Sequence, residues 1–183
     1  GEAFYKVFSK EYEIKCSDID VNEEWLTYLD FRDLESYISD VEAYNPDFLF
    51  HIGAFTDLEF CEKNVAETYL TNTLSVENAT LISNKLGIPL LYISTAGIFD
   101  GSKEVFDDWD LPSPMCHYAR SKYAGELYVE KKLSEIINKQ ISSHPRRRAK
   151  NSGQSKCDTI LFFSISSLSV NLCFPVKRNG IQG

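Results

Sequence analysis

The sequence holds 183 residues with 43% hydrophobic and 13% aromatic content. That suits one folded domain burying about two-thirds of its unfolded surface, and it excludes a disordered chain. Its 19 Lys and Arg against 27 Asp and Glu leave a formal charge of -8, which argues against nucleic acid as a partner but not against a nucleotide held by backbone amides.

Along the chain, Ala3, Phe4, Val7 and Phe8 recur at helical spacing, and the run ends near Ser9 and Lys10. Tyr12 to Ser17 alternates as a strand and closes on Asp18, and Trp25 to Leu29 forms a second short segment. An amphipathic helix is expected over Leu34 to Tyr44, stopped by Asn45 and Pro46. Phe48 to Ile52 is a short apolar strand running into Gly53 and Ala54. Ala66 to Leu86 reads as one long helix with Leu70, Leu74, Val76, Leu81 and Ile82 inward and Gly87 as its C-terminal cap. A strand over Leu90 to Ser94, a loop over 96–116 and a helix from Tyr118 to Ile137 follow. Strands alternating with helices predict an α/β fold with a parallel sheet.

Beyond Lys139 the pattern changes. Residues 141–183 carry seven Lys and Arg against one acid, Asp158, a net of +6 that leaves -14 for residues 1–140. Residues 142–156 read as a polar, basic linker whose arginines are solvated, and Asp158 to Val170 as a candidate buried strand. The 15-residue apolar run from Ile160 to Phe174 contains four serines and an asparagine. It falls short of the roughly 20 apolar residues of a membrane span, so no membrane association is expected. The division is therefore 1–139 as the folded domain and 140–183 as a divergent tail. Five scattered cysteines, with no CxxC pair and no His at metal spacing, read as reduced thiols of a cytoplasmic protein and give no metal site.

The chemistry concentrates in residues 89–126. Ser94 and Thr95 end an apolar strand, and Tyr118 and Lys122 stand one helical turn apart, projecting from the same face. A phenol of ordinary pKa near 10 becomes a useful acid or base when a neighbouring ammonium favours its anion, and a hydroxyl at the strand end can share the same substrate oxygen. Tyr-x-x-x-Lys alone is a weak pattern that many solvated helices carry by chance. His51 is expected to pack within its strand, His117 to border the pocket, Asp107, Asp108 and Asp110 to be solvated, and Trp109 to pack the loop down.

The context is more specific. ISTAGIFDG, a D-x-P-x-P loop and YARSKYAGE, with NPDFLFHIGAFTDLEFCE and TYLTNTLSVENA upstream, resemble the extended short-chain dehydrogenase/reductases. Among these the dTDP-4-dehydrorhamnose reductase branch of nucleotide-sugar enzymes is the most similar. The resemblance covers residues 1–135. It implies a Rossmann-like doubly wound parallel sheet, here incomplete: Gly1 aligns with the third glycine of the phosphate turn, so the first strand and most of the glycine-rich loop are missing. The substrate domain is likewise expected to be missing.

On that resemblance, Thr95, Tyr118 and Lys122 are the catalytic triad, with Tyr118 giving a proton to the sugar C4 oxygen. Lys122 holds the nicotinamide ribose and lowers the Tyr118 pKa. Cofactor contacts fall to Gly1, Asp18, Asp30, Phe31, Ile52, Gly53, Ala54 and Asn72 together with Tyr118 and Lys122; substrate contacts fall to Thr56, Ala96 and Gly97. The implied cofactor is NADP or NAD. The implied activity is reduction of a 4-keto-6-deoxy nucleotide sugar, with homodimerisation as one option for the full-length parent. Ala96 and Gly97 replace the family's acid and aromatic, which opens the substrate assignment. An NAD-dependent epimerase or dehydratase, a non-catalytic regulatory subunit and an inactive fragment are the alternatives. Loss of a central strand predicts weak cofactor binding by this chain and unpaired edges on both sides of the gap.

Overall fold

The structure is a computed structural model that describes residues 1–143, 161–164 and 173–178. Helix α1 (Glu2–Phe8) leads into two short strands, β1 (Tyr12–Ile14) and β2 (Cys16–Asp18). These divide the single strand predicted there, and Lys15 between them forms an ion pair with Asp40. β3 (Leu26–Tyr28) lies parallel to β2.

Helix α2 (Leu34–Tyr44) has the predicted bounds. Asp33 caps its start by accepting from the Glu35 and Ser36 amides, and Asn45 ends it in the left-handed region at φ 51°. Its stripe of Leu34, Tyr37, Ile38 and Val41 faces the sheet, with Tyr37 and Val41 fully buried.

β4 (Phe48–His51) and β5 (Leu90–Ser94) pair in parallel, Leu49 opposite Leu90 and His51 opposite Tyr92. Between them run α3 (Leu58–Lys63), α4 (Val65–Tyr69), a π-helical turn (Leu70–Leu74) and α5 (Ser75–Leu86). The one long helix predicted here is thus interrupted. The π turn inserts a residue into the 3.6-residue period and rotates the face that follows. As a result Leu70, Leu74 and Leu81, expected inward, are 48%, 36% and 41% exposed, while Val76 and Ile82 are buried as expected. The inward face is completed by Thr71, Asn72, Ser75, Ala79, Thr80 and Ser83, small or hydrogen-bonding residues that let the helix lie close to its neighbours.

After β5, a 3-10 turn (Ala96–Ile98) opens the 96–116 loop and α6 (His117–Ser143) closes it. Stacking of Phe99 on Phe106 at 4.6 Å and a Lys103–Asp110 ion pair hold the loop. Trp109 does not pack it down: the indole is 91% exposed, because the segment folds on Phe99 instead.

Helices α2, α5 and α6 cover one face of the sheet, where Phe31, Tyr37, Val41, Leu49, Ala79, Ile82 and Leu90 form the largest buried cluster. Each large apolar side chain buried there contributes about 1.5–3 kcal/mol relative to exposure. On the other face α1 lays Phe4 and Tyr5 against Tyr12, Trp25, Phe48 and Phe50.

The tail enters the same sheet. β6 (Leu161–Ser164) runs parallel to β5 from Leu91↔Leu161 to Ser94↔Ser164, within the span where a strand is predicted. β7 (Cys173–Arg178) runs antiparallel between β2 and β4, giving the order β3-β2-β7-β4-β5-β6 among the described residues, with β1 also on β7. In the doubly wound order, the place between the second and fourth strands belongs to the first. Neighbouring strands expected to stand apart are instead bridged by β7, from Phe48↔Val176 to His51↔Cys173 on one side and at Ser17↔Cys173 on the other. Buried backbone groups seek partners, and this strand supplies them, although Pro175 opposite Leu49 has no N–H to give. The remainder of the predicted linker and of the Asp158–Val170 segment lies outside the described residues.

Candidate active site

The parallel strands end together at one edge of the sheet, where α/β folds place their ligands. Thr95 follows β5 there, 7% exposed, and its Oγ1 accepts the Gly97 amide at 3.1 Å, which builds the 3-10 turn over Ala96 and Gly97. Both of these residues are exposed. Tyr118, in the first turn of α6, has Thr95 as its side-chain hydrogen-bond partner. Burial pushes the Tyr118 phenol above its usual value, the Thr95 hydroxyl draws it back, and the Cys61 and Cys116 thiols push it up. Lys122 is not among these influences, so the expected lowering of the Tyr118 pKa by Lys122 is corrected: the two are one turn apart, but burial raises the phenol and Thr95 is what opposes the rise.

Lys122 is 3% exposed, with Nζ 4.3 Å from the centre of the Tyr92 ring. Tyr92 Oη in turn donates to the Lys122 carbonyl at 3.0 Å. Burial draws the Lys122 amine from 10.5 down to about 7, opposed by Glu126. An amine that titrates near neutrality inside a site is suited to proton transfer or to meeting a ligand hydroxyl.

Asn72, expected at the cofactor, is fully buried in the π turn and works as a clasp. Its Oδ1 accepts the Phe55 amide at 2.7 Å, and its Nδ2 donates to the Phe55 carbonyl and to Ser121 Oγ at 2.9 and 3.0 Å. Ser121 Oγ donates to the Tyr118 carbonyl at 2.7 Å, and Thr73 Oγ1 donates to the Ser121 carbonyl at 2.8 Å. The clasp ties the loop after β4 to the turn that carries Tyr118. Nothing in the sequence distinguishes Ser121 from an ordinary helix serine; only its place between Tyr118 and Lys122 hints at it.

The remaining cofactor residues divide. Asp18 ends β2, buried, with Oδ1 accepting the Asp20 amide at 3.0 Å, and burial raises its carboxyl. Asp30 is held by a two-pronged contact from Arg32 Nε and Nη2, each 2.8 Å; that pairing, first among the causes, lowers its pKa. Phe31 is turned into the core, edge-on to His51 at 5.2 Å. Gly53 lies on it: an added Cβ would sit 2.6 Å from Phe31 Cζ, so the glycine is required by close packing. Ile52 is half-buried and Ala54 buried beside it, Thr56 is half-buried in the loop the clasp holds, and Gly1 caps α1.

His51 packs as expected. It is fully buried, its ring nitrogens 2.9 Å from Ser75 Oγ and 3.3 Å from Tyr37 Oη, and burial, with the Lys122 charge second, draws its pKa down to about 3. His117 borders Tyr69 edge-on at 6.4 Å. Among the described residues no group of His, Cys, Asp or Glu could hold a metal ion, and no helix is long and apolar enough to cross a membrane.

The sequence model of the RmlD substrate binding domain matches residues 6–141. The chain is 30% identical over 92 residues to dTDP-4-dehydrorhamnose reductase of Sinorhizobium fredii, covering 50% of this chain and 31% of that protein. It is 26% identical over 133 residues to methionine adenosyltransferase 2 subunit beta of Xenopus tropicalis, covering 70% and 39%. The crystal structure of dTDP-4-dehydrorhamnose reductase from Bacillus anthracis in complex with NADP superposes with a TM-score of 0.55 at 30% identity, covering 58% and 40%. The fold is Rossmann-like, and the chain spans about a third of the length of the curated relatives it matches.

Proposed function

Because the chain belongs to the RmlD substrate binding domain family, we propose that it is part of a reductase of 4-keto-6-deoxy nucleotide sugars that draws on NADP or NAD, with Thr95, Tyr118 and Lys122 as the reacting group. The observation that carries this reading is the contact of the Thr95 hydroxyl with Tyr118 while the buried Lys122 stands one turn further along α6. The two hydroxyls bracket a place where a carbonyl oxygen can accept a hydrogen bond from each.

The residues fit the two ends of a nicotinamide dinucleotide unequally. Lys122, with no carboxylate in ion-pair range among the described residues, and the tightly packed Gly53 suit the nicotinamide end. The phosphate end would fall near the start of α1, and β7, between β2 and β4, runs antiparallel to both. The bound nicotinamide would supply the hydride. Tyr118 would then release its phenolic proton to the oxygen, Thr95 would orient that oxygen, and Lys122 would hold a ribose hydroxyl. Asp18, Ile52, Ala54, Thr56, Ala96 and Gly97 line the same edge of the sheet and are the proposed remaining contacts.

A second reading, a non-catalytic subunit, is favoured by the similarity to methionine adenosyltransferase 2 subunit beta. In the full-length parent, Tyr118→Phe should lower turnover of NADPH with a 4-keto-6-deoxy nucleotide sugar by about 10²–10⁴-fold and leave NADPH binding nearly intact. A parent without turnover, or unaffected by the change, belongs to the second reading. For the 183-residue chain itself, titration with NADPH should give millimolar or no binding.

A further inference from the structure

Ser121 stands between the two residues of α6 assigned to the reaction, and the reaction proposed above gives it no part. Its surroundings differ from those of an ordinary helix serine. It is fully buried. Its hydroxyl makes the back-bond to the Tyr118 carbonyl that serines in helices commonly make, but the same oxygen also accepts from Asn72 at 3.0 Å. Its carbonyl accepts from Thr73, the next residue of the π turn, at 2.8 Å. Adjacent residues of one turn thus hold Ser121 by its side chain and by its backbone.

The grip extends along α6. A helix carbonyl has a second lone pair, and those of Ser121 and Lys122 meet hydroxyls from two other elements, Thr73 of the π turn and Tyr92 of β5. Gly125, one turn on, admits this approach: an added Cβ would lie 3.0 Å from Tyr92 Oη and 3.3 Å from the Asn72 carbonyl. At the start of the helix the His117 amide donates to Glu62 Oε1 at 2.6 Å, so α3 holds the same turn. The 3-10 turn after β5 packs against it as well, since a Cβ on Gly97 would stand 3.4 Å from Thr95 Oγ1 and 3.8 Å from Ala119 Cβ.

We propose that Ser121 and Thr73 are positioning residues: through these hydrogen bonds the π turn fixes the first turn of α6, and with it the place of the Tyr118 phenol relative to Thr95. The effect of that placement on turnover rests on the reductase reading; the placement itself does not. The π turn acquires a purpose on this account, because it presents Asn72 to the side chain of Ser121 and Thr73 to its carbonyl. A misplacement of about 1 Å in a reacting group lowers a rate by up to about 10²-fold.

The test has two arms. In the full-length parent, Thr73→Val replaces the donor by a methyl of similar size, and Ser121→Ala removes the hydroxyl. Each should lower kcat by about 10–100-fold and leave KM for NADPH and for the 4-keto-6-deoxy nucleotide sugar unchanged. Thr73→Ser, which retains the hydroxyl, should keep kcat close to wild type. In the 183-residue chain labelled with ¹³Cζ-tyrosine, the Tyr118 signal is identified by its loss in Tyr118→Phe. It should shift in Thr73→Val and Ser121→Ala and hold its wild-type position in Thr73→Ser. A Tyr118 signal unmoved in both Thr73→Val and Ser121→Ala overturns the proposal, and so does an unchanged kcat in a parent that Tyr118→Phe disables. If Ser121→Ala does not fold, Thr73→Val alone decides. Because the second arm needs no turnover, an inactive parent with a shifted Tyr118 signal sinks the reductase reading alone.

Discussion

Lys122 and Tyr92 hold each other twice: the ammonium lies 4.3 Å from the ring centre, and the ring's hydroxyl donates to the lysine's own carbonyl at 3.0 Å. The aromatic face offsets part of the cost of taking a charge out of water, and the hydrogen bond fixes the helix backbone from which that charge projects. A lysine so placed is maintained against its own solvation preference.

Lys122→Met should therefore stabilise the chain, and the gain should depend on pH. The folded amine titrates near 7 and the unfolded one at 10.5, so the unfolded state binds the extra proton between those values and wild-type stability rises with pH across that window. The advantage of Met should be about 1–4 kcal/mol near pH 6 and should shrink toward pH 10. Urea melts of both proteins at the two ends check this; a constant difference would show that the amine is not desolvated.

His51 should make the fold acid-labile. Its folded pKa near 3 lies below the ordinary 6.5, so between those values the unfolded state takes up a proton that the folded state refuses. Stability should fall on acidification through that window, with a slope of up to about 1.4 kcal/mol per pH unit from this residue. His51→Gln retains hydrogen-bonding capacity toward Ser75 and should flatten the difference between pH 6 and 4. Parallel slopes for the two proteins would show that His51 does not control the response.

Gly53→Ala should cost about 1–3 kcal/mol through the Phe31 ring. Phe31→Leu in the alanine background should return part of that loss, since it removes the atoms that the methyl meets. A double-mutant cycle measured by thermal melts should give a coupling of about 0.5–3 kcal/mol. Strict additivity would place the requirement for glycine elsewhere.

How far the sequence reached depends on what each element needed. Helix α2 was legible to the residue because its signals are local: Asp33 at one end, Asn45 at the other and an apolar stripe between. The helix over Ala66 to Leu86 was not, because a π turn leaves no compositional mark, and Leu70, Leu74 and Leu81 inherited a phase the backbone does not keep. Trp109 departs from expectation for a related reason: a large indole usually seeks a core, but here the stacked Phe99 and Phe106 anchor the loop and leave it exposed.

The alternation of helices and strands, the strand ending in Ser94 and Thr95 and the i, i+4 spacing of Tyr118 and Lys122 are properties of short segments, and the sequence alone determined them. The tertiary structure decided what those residues feel. Burial against Tyr92 sets the state of Lys122, Thr95 acts on Tyr118, the Asn72 side chain is spent on Phe55 and Ser121, and β7 fills the gap between β2 and β4 from the far end of the chain. Solvation, hydrogen-bond partnership and strand pairing all depend on atoms distant in sequence, so no local pattern could have fixed them.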